Sequence, residues 1–180
     1  MSEMEYALGA YCGITFAGIK TASLVRVKRS ELNCLGCLAK FFRRKGFGFV
    51  VLKMDKERAL LYVYNVKKLK KVLLDKENKA FLTEQGYCYK DEREAIGQLK
   101  ERLEQEEFPH EIGIFLGYPL EDVKGFINHP CEGVQAVGCW KVYANAEEKQ
   151  KLFERFRRCS ASICCKMQGG KSLMEIFEAI

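Results

Sequence analysis

The chain has 180 residues, 48% of them hydrophobic and 30% charged, with a formal net charge of +6. That composition excludes a disordered tract or a membrane-embedded bundle and suffices for one domain burying roughly two-thirds of its unfolded surface. The mild basic excess permits anionic partners without requiring them.

Nine cysteines are many for this length, and the odd count leaves at least one unpaired. Met1-Ser-Glu-Met-Glu5 lacks the basic start of a secretory signal, and Ala7–Ile19 is too short and glycine-rich to span a bilayer. The expectation is a cytoplasmic protein with reduced thiols and no membrane association.

From Tyr6 to Ser23 small residues abound without periodicity, which predicts a packed loop or a short helix. Leu24–Arg29 alternates apolar and basic side chains as a short strand with one wet face. Ser30 is placed to cap a helix to about Arg44, striped by Leu32, Leu35, Leu38 and Phe42. Phe47–Met54 and Ala59–Val66 flank a polar turn and form a hairpin. Val66, Leu69, Val72 and Leu73 mark an amphipathic helix backed by lysines, and Lys76–Gln85 forms another, stopped at Gly86. Asp91 and Glu94 cap a helix over Glu92–Glu106.

Ile112, Ile114 and Leu116 then alternate with Gly113, Phe115 and Gly117. This predicts a central strand covered on both faces, with His110 at its mouth. Pro119 opens a helix over Leu120–Ile127, and Ala136–Tyr143 reads as a last strand bearing the only tryptophan, Trp140. Asn145 caps a long helix to about Met167, and Ser172 with Glu175 forms a capping box for a terminal helix. The fold class is α+β: a single domain over residues 1–180, a mixed or antiparallel sheet of about five strands, helices packed on it, and a helical C-terminus. The element order is similar to a ferredoxin-like half with further elements added.

Several patterns carry possible chemistry. Cys12 at a helix start is a candidate thiolate nucleophile, with His110 as base and Glu111 as the group that orients the ring. Ile112-Gly-Ile-Phe-Leu-Gly117 resembles the histidine strand of the NlpC/P60 peptidases, although that alignment puts Glu111 on the histidine position. Gly13–Thr21 nearly matches a phosphate loop, but Ile19 separates Gly18 from Lys20 and misaims the lysine. Lys45–Leu52 matches most of the RNP1 strand of RNA-binding domains; its position after the first helix favours core phenylalanines instead. Cys34-Leu-Gly-Cys37 is a single CxxC, with Cys159, Cys164 and Cys165 as further thiols, short of the two paired knuckles that zinc requires. Lys67, Lys68, Lys70 and Lys71 read as a solvated helix face.

Three blocks carry a family resemblance: Cys12-x-x-Thr15-Phe-Ala-Gly-Ile-Lys20, then Pro109–Phe126, then Cys139-Trp-Lys-Val-Tyr143. Together they resemble an uncharacterised bacterial family of Clostridia-like anaerobes, the domain of unknown function 3793. The resemblance implies a cytoplasmic protein of anaerobes and brings no established activity with it. The family often has histidine where Tyr11 stands, which weakens any reading that pairs that position with Cys12.

The sequence therefore leaves open whether the protein is an enzyme, and it names no cofactor, partner or metal ligand. Its most concrete hypothesis is a small-ligand or thiol-based catalytic site at Cys12, His110 and Glu111, with Lys20, Gly18 and Tyr118 binding the ligand. The alternative is a non-enzymatic protein that holds a metal through thiols or a partner through its surface. Nucleic acid bound through the basic helices is the weaker alternative.

Overall fold

A computed structural model describes residues 2–105 and 107–178. In chain order they form α1 (Glu3–Ala7), a π-helical turn (Leu8–Cys12), α2 (Gly13–Phe16), β1 (Ala22–Lys28), a 3₁₀ segment (Arg29–Cys34) and α3 (Leu35–Arg44). Next come β2 (Phe47–Met54), β3 (Arg58–Asn65), α4 (Val66–Leu74), α5 (Lys76–Glu84), α6 (Glu92–Leu103), α7 (Ile112–Phe115) and α8 (Leu120–Asn128). The two short strands β4 (Ala136–Val137) and β5 (Lys141–Val142), then α9 (Ala146–Gln168) and α10 (Leu173–Phe177), complete the order. Two compact units result, one from residues 1–68 and 157–180 and the other from residues 69–156.

The first unit holds an antiparallel sheet in the order β1-β3-β2. Alternation along the strands turns Val25, Val27, Phe47, Phe49, Ala59, Leu61 and Val63 into one core with Leu8, Cys12, Phe16, Leu38 and Phe42. The rings of Phe16 and Phe42 stack at 3.8 Å, and Phe177 of α10 lies 5.8 Å and 5.7 Å from them. Burying each such phenylalanine contributes about 2–3 kcal/mol. Phe47 and Phe49 are thus core residues, and the RNP1 match is accidental. Ile163, Met167 and Leu173 close the same core. The capping box of α10 forms as its sequence implies, with Ser172 and Glu175 bonded reciprocally.

The second unit is helical apart from the β4–β5 hairpin. Asp75 caps α5 and Asp91 caps α6, each carboxylate accepting two backbone N–H groups. The helix foreseen over Glu92–Glu106 ends at Leu103, and Glu106 lies outside the described residues.

Three expectations are corrected. The sheet of about five strands is a three-stranded sheet plus a two-stranded hairpin. The central strand foreseen at Ile112–Leu116 is a helical turn, with Ile112, Gly113 and Ile114 donating to the carbonyls of Pro109, His110 and Glu111. A run that is buried all round carries no period, so alternation alone cannot separate strand from turn. Gly117 at φ 76° closes that turn, and the Tyr118 N–H reaches back to the Gly113 carbonyl. The strand foreseen over Ala136–Tyr143 folds back on itself, leaving Trp140 in the hairpin connection. In addition, Ser30 caps nothing, because the chain enters α3 through the 3₁₀ segment.

Candidate ligand-binding site

In the first unit, Cys12 ends the π-helical turn and is fully buried in the core. Burial pushes its thiol up to about 12, and the nearby positive charge of Lys20 offsets only part of that. The thiol is neutral at pH 7 and packs as a small hydrophobe. Gly18 takes φ 69° after α2, where a glycine relieves the backbone, and its N–H donates to the Thr15 carbonyl. The Lys20 N–H donates to the Ile14 carbonyl. Cys12, Gly18 and Lys20 therefore belong to one tightly wound segment.

His110, Glu111 and Tyr118 belong to the second unit. Glu111 is buried and its Oε1 accepts from Arg102 Nε at 2.7 Å and from the Tyr87 hydroxyl at 3.0 Å. The Arg102 guanidinium also lies 4.9 Å from the centroid of the Tyr87 ring. Burial, then the Glu111 carboxylate, push the Tyr87 phenol well above its ordinary value. The carboxylate foreseen as orienting His110 is bonded to Arg102 and Tyr87 instead.

The exposed His110 imidazole sits among rings, 5.7 Å from Phe108 and 5.1 Å edge-to-face from Phe126. These three side chains line one side of a pocket of about 470 Å³. Tyr118 and Trp140 line another, stacked at 4.5 Å and 26°. Trp140 in turn lies edge-on to Phe153 at 4.6 Å. The Tyr118 hydroxyl donates to the Cys139 carbonyl at 3.3 Å, and burial raises its pKa to about 12, so the phenol stays neutral. Gly113 forms part of the floor. A Cβ there would meet Val123 Cγ2 at 2.7 Å and Tyr118 Cδ2 at 3.2 Å, so glycine lets α7 and α8 close up beneath the pocket.

Asp122 fixes the hairpin over this pocket. It is 1% exposed; Oδ2 accepts from the Trp140 indole at 2.7 Å, and Oδ1 accepts from the N–H groups of Tyr143 at 2.7 Å and Ala144 at 3.3 Å. A buried carboxylate with its lone pairs taken by three donors is satisfied, and it sets the angle of the indole plane. Lys141 spans the pocket edge, its Nζ donating to the Pro130 carbonyl at 2.7 Å and lying 5.5 Å from the Phe126 centroid. The mouth is apolar, with Phe108 53% and Val137 73% exposed.

His110 and Tyr118 were legible in the sequence as candidates and line the same pocket. Asp122, Phe126 and Lys141 were not, yet all three lie in the segments that carry the family resemblance. The cysteines are all free thiols. Among the described residues no three His, Cys, Asp or Glu side chains come together as a metal site. No helix among those residues is long and apolar enough to cross a membrane.

A family model described as "Protein of unknown function (DUF3793)" matches residues 8–177. The chain belongs to that family, and the match covers parts of both units. No curated protein and no solved structure matches the chain significantly.

Proposed function

We propose that this family member is a small-molecule-binding protein whose site is the aromatic pocket of the second unit. The observation that carries this reading is a pocket of about 470 Å³ with Phe108, His110, Tyr118, Phe126 and Trp140 in its walls. That volume lies in the range of small-ligand sites, and stacked rings present flat apolar faces to a flat guest. His110 and Tyr118 serve here as ligand contacts. The catalytic role considered for Cys12, His110 and Glu111 loses support, because a buried neutral thiol is a poor nucleophile and Glu111 is committed elsewhere. Nine cysteines, all of them free thiols, fit a reducing cytoplasm as its location.

The test is a ¹⁹F NMR screen of neutral fluorinated aromatic fragments against the full chain. Several fragments should broaden on adding protein and sharpen again with the Phe126→Ala variant, whose circular dichroism should match the parent. A panel in which nothing broadens, or in which Phe126→Ala binds equally well, overturns the reading.

A further inference from the structure

We infer that the guest is an aromatic acid, a flat ring system bearing a carboxylate; this rests on the pocket being the ligand site. The argument concerns which charge the pocket turns toward its contents. Two lining side chains carry a full charge, Asp122 and Lys141. Asp122 faces inward: it is 1% exposed and its oxygens are taken by the Trp140 indole and the amides of Tyr143 and Ala144. Its oxygens are committed to the hairpin and leave a guest no acceptor there.

Lys141 is placed differently. Its ammonium has three N–H donors, of which one goes to the Pro130 carbonyl at 2.7 Å. Anchored there, it stands 5.5 Å from the Phe126 centroid, on the wall that also holds His110. A ring laid along Phe126 brings its edge toward this ammonium, and a carboxylate on that edge accepts the remaining donors. Charge-assisted bonds of this kind are roughly twice as strong as neutral ones.

The same placement decides against the other charged guest. Aromatic walls attract quaternary ammonium ions through their ring faces. Here Lys141 already lies over Phe126, so an incoming cation would meet a like charge at short range.

The experiment compares three probes that share one 4-(trifluoromethyl)phenyl ring by ¹⁹F NMR titration: 4-(trifluoromethyl)benzoate, the near-isosteric 4-(trifluoromethyl)benzamide, and the bulkier 4-(trifluoromethyl)phenyltrimethylammonium. The benzoate should bind about tenfold more tightly than the benzamide, the equivalent of one charge-assisted bond. The trimethylammonium probe should bind weakest. Lys141→Met should bring the benzoate-to-benzamide ratio to about one, and Lys141→Arg should restore it. Benzamide binding as tightly as benzoate overturns the acid while leaving the pocket reading intact. So does a ratio that persists in Lys141→Met, or a trimethylammonium probe that binds best. If none of the three probes binds, the inference and the pocket reading fall together.

Discussion

Replacing Asp122 by asparagine tests the arrangement of the pocket most directly. The variant keeps size and shape but exchanges one carboxylate oxygen for an NH₂ group. Its remaining oxygen can stay with the N–H groups of Tyr143 and Ala144, which turns the NH₂ against the Trp140 indole N–H. One charge-assisted bond is lost, the other two weaken, and donor faces donor in a site that is 1% exposed. Hydrogen bonds to charged groups contribute about 1.5–3 kcal/mol, so a net loss of about 2–4 kcal/mol is expected. The assay is urea unfolding followed by far-UV circular dichroism for the parent, Asp122→Asn, Trp140→Phe and the double variant. The cycle should give a coupling of about 1.5–3 kcal/mol between the two positions. Trp140 is the only tryptophan, so its emission should also shift to the red in Asp122→Asn. A loss under about 0.5 kcal/mol, or a coupling indistinguishable from zero, would refute the claim that Asp122 holds the hairpin.

Cys12 makes a prediction about pH. Its folded-state pKa of about 12 lies above the ordinary 9.0, so between those values the unfolded chain releases a proton that the folded chain keeps. The stability it contributes is complete below pH 9 and is lost as pH rises toward 12, by up to about 1.4 kcal/mol per pH unit. The difference in unfolding free energy between the parent and Cys12→Ala should narrow from pH 8.5 to 10.5; a constant difference would place the thiol in contact with water. Glu111→Gln removes the ion pair to Arg102 and weakens the bond from Tyr87. The expected cost in urea unfolding is about 1–3 kcal/mol, less than for a fully buried pair, because the Arg102 side chain is 31% exposed and can turn to water. No measurable change would make that pair incidental.

What the sequence revealed followed from periods and caps. The β2–β3 hairpin, the amphipathic α4, and the caps at Asp91 and Ser172 all express local rules that act over three or four residues. The misreadings share one cause. At Ile112–Leu116 every side chain is buried, so the pattern held no information about which face was inside. At Ala136–Tyr143 the turn has Gly138 where any side chain would fall into the Phe153 ring, a packing demand that a local pattern does not display. The pocket was half legible for a similar reason. His110 and Tyr118 stand out as residue types, whereas Asp122 and Lys141 look like ordinary surface charges until the hairpin folds over α8.

The first unit is assembled from two stretches of chain separated by the whole of the second. Its core needs Ile163, Met167, Leu173 and Phe177 as much as it needs Leu8, Phe16 and Phe42. Even the start of α10 is held from the far end of the sequence, the Leu173 N–H donating to Glu5 Oε1 at 2.8 Å. On a ribosome, the residues of α1, α2 and the first three strands emerge well before the helices that seal them. Throughout that interval a nascent chain carries a half-built apolar layer, while residues 69–156 can already settle into their own unit. The unit made first is therefore the one finished last, and the waiting apolar layer is where a chaperone would have most to cover.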